Sequence, residues 1–285
     1  MNAILTLAGL TFREAVRRRI ALAAFVLGLA FVALFNVGLY FILDEFARSG
    51  SSATGAQQAI VTRSVLNGLG LAGMYAINFL ALALGALLAA DTLAGEIGSG
   101  AIQTIVTKPI ARWHVVVGKW LGFALMLAIY LVLMTTGVVV GLWLQGDYVL
   151  PGLVRGVPVL YLVSLTVMSI TLMCSSRLSA LATGGVIFGL YGLGFLGSMV
   201  EQIGSALNNP TAVNIGIFSS LLVPTEALWR RAAFEMSSAL TQAAGAVSPF
   251  TGLGSPPSVL MVAYGLVYAA VALWIGIRWF SRRDL

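Results

Sequence analysis

The amino-acid sequence predicts an all-α polytopic membrane protein with six transmembrane helices, on three observations. Six apolar stretches of at least 20 residues, each free of Asp, Glu, Lys, Arg and His, stand out as candidate spans: 20–43, 64–90, 120–146, 156–176, 178–200 and 258–277. A helix rising about 1.5 Å per residue needs roughly 20 residues to cross a hydrocarbon core of ~30 Å, so each can span. Only 9% of residues are charged against 59% hydrophobic, and mean hydropathy is +0.98, where soluble domains carry about 25% charge. The 16 Lys and Arg residues, finally, are divided unequally between alternate connections.

Residues 1–19 open the chain with Ile4, Leu5, Ala8, Phe12, Ala15 and Val16 at helical spacing and Thr6, Arg13 and Arg17 opposite, which predicts an amphipathic interface helix. Such a helix serves as a positive-inside anchor or as a docking element for a partner. The apolar run after Arg17, Arg18 and Arg19 exceeds the roughly 7–15 residues of a signal peptide, and no small-x-small cleavage site follows, so the first span is expected to remain uncleaved. Within the charge-free stretches, spans are expected at about 20–43, 68–90, 120–144, 156–176, 179–200 and 258–277, all in one domain covering 1–285.

One set of connections holds Arg13, Arg17, Arg18, Arg19, Lys108, Arg112, Lys119, Arg177, Arg278, Arg282 and Arg283; the other holds Arg48, Arg63, Arg155, Arg230 and Arg231. Eleven against five places both termini, the segment 91–119 and the turn at Arg177 in the cytoplasm, with 44–63, 147–155 and 201–257 outside.

The segment 91–119 is longer than a turn between spans requires. A short helix from near Ser99 to before Pro109 would project from the membrane as a lever, since proline disfavours helical geometry at Lys108. Glu96 offers a charge partner there, or a cap for a nearby helix N-terminus. In the loop 201–257, residues 225–239 read as a helix that serves as an external gate or lies at headgroup level with Trp229 as anchor; the second reading is preferred.

Several chemistries have no residues to carry them. A net charge of +6 is spread by membrane side rather than along a groove, so nucleic acid is not expected. The single cysteine, Cys174, allows no disulfide framework or thiolate metal site, and His114 has no neighbouring Cys or second His. No Ser/His/Asp set can be assembled, and no G-x-x-x-x-G-K-[ST] phosphate loop occurs, so the chain is expected to be no enzyme and to hold no cofactor. No span centre contains an ionisable residue, which argues against the alternative of an ATP-independent secondary transporter or channel.

Polar residues on apolar helices are candidates for a substrate path. Tyr75, Asn78, Thr183 and Tyr191 are chosen, although such residues more often hydrogen-bond between helices. Span five adds a Gly185-x-x-x-Gly189 pair, expected to allow close helix packing.

Gly95-Glu96, Ser99-Gly100-Ala101-Ile102, Thr107-Lys108-Pro109-Ile110, Arg112 and Gly118-Lys119 resemble the stretch after the second span of permease subunits of type-2 ABC exporters, the ABC-2 superfamily. The six-span layout and Pro224-Thr225-Glu226-Ala227-Leu228-Trp229-Arg230 before the last span are similar too, with Val223 standing where that family more often has Asn. The resemblance implies a permease of a bacterial or archaeal cytoplasmic membrane that exports a substrate. It further implies a separate ABC ATP-binding subunit carrying ATP and Mg, and a second copy of the chain or a homologous permease facing this one. Under it Glu96, Ser99, Ile102, Lys108, Pro109 and Arg112 form the ATPase-coupling interface, and spans two and five line the path.

Overall fold

A computed structural model describes residues 2–48, 55–98, 111–243 and 257–282. These residues form helices and connections: α1 (Asn2–Arg17), α2 (Arg19–Arg48), α3 (Gly55–Gly98), α4 (Arg112–Gly146), α5 (Leu153–Ser175), α6 (Ala180–Ala206), α7 (Pro210–Leu222), α8 (Thr225–Met236), α9 (Ala239–Ala243) and α10 (Leu260–Ser281). Six of them, α2 to α6 and α10, are long and apolar enough to cross a membrane. Several overrun their charge-free stretches, because charge ends the hydrocarbon-compatible window but not the helix: α3, with 44 residues, extends about 66 Å.

The helix ends follow local chemistry. At the end of α4, Asp147 turns left-handed (φ 46°) and donates its N–H to the Trp143 carbonyl, while Tyr148 N–H reaches the Leu142 carbonyl. Asn209 caps α7 by accepting from Thr211 N–H (3.1 Å) and Ala212 N–H (3.3 Å), with Pro210 in the first helical position, where its missing N–H costs nothing.

The spans are unequally enclosed. In their most apolar windows α5 is 67% buried, α3 61% and α4 50%, against 22% for α6 and α10 and 11% for α2. The core therefore lies among α3, α4 and α5, with the other three spans around it. Hydroxyls inside this core bond their own helix: Thr166 donates to the Leu162 carbonyl (2.8 Å) and Thr171 to the Val167 carbonyl (2.7 Å). A polar side chain thereby enters an apolar interior without an unmet bond. Bonds between helices are fewer, as in Tyr161 OH to the Ala124 carbonyl (2.9 Å) and Trp120 Nε1 to Ser169 Oγ (3.0 Å).

Helix α1 is packed rather than free. A Cβ on Gly118 would lie 2.6 Å from Leu7 Cβ, and one on Gly122 would lie 2.7 Å from the Ala8 carbonyl oxygen, so α1 crosses α4 where glycine clears the way. Thr11 and Ala15 are buried on this face, and Leu5, Leu10 and Val16 stay exposed. Arg18, between α1 and α2, pairs with Glu14 (2.7 Å) and reaches Asp91 near the end of α3 (3.4 Å).

The largest departure from the sequence expectation lies between the fifth and sixth spans. Helices α7 and α8 meet at a bend of 100°. Helix α7 runs back along α6, Gly204 facing Ala212 near its start and Gly194 facing Val223 beyond its end. Helix α8 then returns to the starting end, where Asn67 Nδ2 donates to the Met236 carbonyl (3.1 Å) and Asn67 Oδ1 accepts from Ser238 N–H (3.1 Å). Both ends of the hairpin lie at one end of the bundle, so it re-enters rather than spans. The preferred reading of a headgroup-level helix anchored by Trp229 is overturned, because Trp229 is 2% exposed and packed in the interior.

Candidate functional site

The polar centre of the molecule forms where α8 meets α3 and α6. Pro224 prevents the apolar run of α7 from continuing as one helix, and Val223 before it is extended (φ −135°, ψ 93°). The new helix starts at Thr225, which places Glu226 in its first turn, where the helix dipole favours a carboxylate. Glu226 is only 5% exposed, so its carboxyl stands among the helices rather than in solvent.

Around that carboxyl the structure gathers two residues chosen from the sequence. The Tyr75 hydroxyl, from α3, donates to Glu226 Oε1 at 3.4 Å. The Tyr191 hydroxyl, from α6, lies beside Tyr75 and Glu226 but completes no hydrogen bond of normal geometry among the described residues. The Tyr75 ring meets Trp229 edge-on at 5.0 Å, and Phe79 meets Tyr191 at 5.9 Å. One turn along α8, Arg230 makes two bonds to Glu201 of α6, Nη1 to Oε1 at 2.9 Å and Nη2 to Oε2 at 2.7 Å. That planar pairing uses the guanidinium fork, so its charge is committed to Glu201.

The other two path candidates stand elsewhere. Asn78 and Thr183 are both 0% exposed, and among the described residues neither the Asn78 amide nor the Thr183 hydroxyl finds a hydrogen-bond partner. Gly185 and Gly189 are exposed, with nothing among the described residues within 4 Å of a Cβ placed on either. Close approach by α6 occurs instead at Gly197, against Ser219, and at Gly204, where a Cβ would lie 2.6 Å from Ala212 Cβ.

Glu201, Glu226 and Arg230 were not chosen from the sequence, because they lay in what reads as an external loop. The available signal was the charge-free run 202–225, interrupted by Asn208, Asn209 and Pro210. At the opposite end, Arg112 Nη1 donates to the Ser281 carbonyl at 3.2 Å and ties the start of α4 to the end of α10. Ser99, Ile102, Lys108, Pro109 and the projecting helix expected there lie outside the described residues, as does the side chain of Glu96.

The family model of the ABC-2 family transporter proteins matches residues 5–285. The chain belongs to the ABC-2 transporter family. No curated protein matches it. Membership covers all the helices described above except the first three residues of α1, so the re-entrant hairpin falls within the region matched by the ABC-2 model. The protein is thus a transmembrane transport component, whose family implies pairing with an ABC ATP-binding subunit.

Proposed function

We propose that this ABC-2 protein is the permease subunit of an exporter in a bacterial or archaeal cytoplasmic membrane, driven by ATP hydrolysed on a separate subunit. The family match over residues 5–285 carries the reading. The absence of a phosphate-loop sequence from the chain supports assigning ATP, Mg and hydrolysis to the partner. The end bearing α1 is the cytoplasmic one in this reading, as the eleven-to-five division of Lys and Arg requires.

The packing at that end suits a coupling role. Residues 99–110 connect α3 to α4; Arg18 bonds Asp91 near the end of α3, α1 is clasped to α4, and Arg112 is bonded to α10. A push on the connection would therefore be delivered to α3, α4 and α10 together. Glu96 and Arg112 supply charges of opposite sign at the two edges of the connection. The cargo path is proposed to run between this chain and a second permease, with Tyr75 and Tyr191 at its outer part and the open glycine face of α6 toward the other copy.

The buried Glu226 and Arg230 weaken the argument that no ionisable residue sits among the spans, since the hairpin carries both inside. An ion-coupled transporter would use such groups, and one experiment separates the readings. The chain is purified from native membranes with its bound partners, reconstituted, and assayed for nucleotide hydrolysis in wild type and Glu96→Lys. A Walker A protein should co-purify, and Glu96→Lys should weaken its retention or uncouple its hydrolysis by about tenfold or more. Transport by the chain alone, driven by an ion gradient, would sink the proposal.

A further inference from the structure

We propose that α6 and α7 form one arm that swings on two pivots held by α10, and that the Glu201–Arg230 ion pair latches the arm's free end against α8. The inference extends the permease reading to a moving part, but it stands on packing alone.

The arm is held together more tightly than it is held to the molecule. Along its length Gly197 faces Ser219, Gly204 faces Ala212 and Gly216 faces Glu201, each too closely for a Cβ, and Ser219 Oγ donates to the Leu193 carbonyl at 3.1 Å. The Asn209 cap fixes the turn between the two helices. On its other side α6 is open: Gly184, Gly185, Gly189 and Gly192 have nothing among the described residues within 4 Å of a Cβ. Two helices packed backbone to backbone, with an unpacked outer face, are built to move as one body.

Both ends of the arm are pinned to α10. At the α5–α6 turn, the Arg177 guanidinium lies over the Trp279 ring, 4.7 Å from its centroid. At the end of α7, Tyr264 OH donates to the Leu221 carbonyl (2.6 Å) and Tyr268 OH to the Leu222 carbonyl (2.9 Å). Each pin borders a break in helical structure, the turn 176–179 and the extended Val223, where dihedral changes are absorbed. The free end is the turn 207–209, with Leu207 72% exposed.

Glu201 sits less than two turns from that free end and faces α8, whose own position is fixed. Gly152 approaches the Glu235 carbonyl, Gly156 approaches Met236 and Ala232, and Asn67 bonds the end of α8 to α3. The ion pair therefore joins the distal part of a hinged arm to a fixed support, where the lever arm is longest. Arg230 is 6% exposed, so opening the latch requires both charges to find new partners: water for Glu201, and Glu226, four residues earlier on α8, for Arg230.

The test uses the full chain with Cys174→Ala and pairs of spin labels on introduced cysteines, read by double electron–electron resonance in lipid nanodiscs. Ile215→Cys on α7 with Val154→Cys on α5 reports arm against core; Leu181→Cys with Ile215→Cys reports the arm alone. These positions are exposed. With Glu201→Gln, the arm-to-core pair should gain a longer-distance population at least about tenfold above that of the unmutated latch, while the arm pair stays unchanged. Exchanging the charges (Glu201→Arg with Arg230→Glu) should restore the short distance. A short arm-to-core distance that persists in both Glu201→Gln and Arg230→Met overturns the latch, as does an opening that the exchange fails to reverse. Broadening of the arm pair overturns the single body. None of these readouts uses ATP or cargo, so a failure here leaves the permease reading untouched.

Discussion

Helices α5 and α6 are consecutive spans of 23 and 27 residues joined by a short turn, yet one is the most enclosed span in the molecule and the other one of the most open. Hydrophobicity does not separate them, since both are apolar enough to cross a bilayer. Their small residues differ in kind. Helix α5 carries Ser164, Thr166, Ser169 and Thr171, whose hydroxyls bond back to its own carbonyls, so it can be surrounded by α3, α8 and α10 with few unmet bonds. Helix α6 carries glycines, and a Cβ on any of those from Gly184 to Gly192 would meet nothing within 4 Å among the described residues. Hydrocarbon gives apolar helices no reason to associate, so a face of small residues is where close packing with another helix is available. The comparison teaches that α5 is enclosed by described helices of this chain, whereas the glycine face of α6 is left open, the face that the proposed pairing with a second permease would use.

The largest effect is expected where the two regions are joined. Arg230→Met would leave Glu201 and Glu226 without their cation in a buried setting, and should lower stability in detergent by roughly 3–5 kcal/mol, read as loss of secondary structure in a denaturant series. A smaller loss should follow from Gly156→Leu in α5, which must displace Met236 and approach the Ala232 carbonyl oxygen (3.2 Å from a Cβ), at about 1–3 kcal/mol. The matching change in α6, Gly185→Leu, should alter the single chain by no more than about 0.5 kcal/mol while reducing self-association in light scattering. Equal losses of stability in the two leucine variants would erase the contrast between α5 and α6. Tyr75→Phe should fall between the two leucine variants, at about 1 kcal/mol for one long bond to Glu226, in the same denaturant series.

How much of this was legible in the sequence depends on which residues are asked about. The six spans could be read because charge is excluded from hydrocarbon, and 20 charge-free residues are long enough to cross it. The re-entrant hairpin could not be read the same way. Its halves are each too short to span, Pro224 divides them, and Glu226, Arg230 and Arg231 resemble a solvated loop until Tyr75, Glu201 and Glu235 supply their respective partners. Pairing across 29 residues in one case and 151 in the other is a tertiary fact that no local pattern carries. Tyr75 and Tyr191 were legible as polar exceptions on apolar helices; that they converge on Glu226 was not. Gly185 and Gly189 were legible as a close-packing motif, but no described helix of this chain packs against them.

The structure also changes which positions can report on the proposed contact with a second permease. Asn78 in α3 and Leu131 in α4 are 0% and 1% exposed, so cysteines there would face the interior of their own chain. Gly189 in α6 is open, and Val132 in α4, 59% exposed, is a suitable control on another surface. The most direct test of the open α6 face is oxidative cross-linking of the full chain in its native membrane, with Cys174→Ala and a single cysteine at either position. Gly189→Cys should yield a covalent dimer of the chain and Val132→Cys should not. Dimer from Val132→Cys with none from Gly189→Cys would contradict the account, placing the second copy against α4 and leaving the glycine face of α6 to lipid.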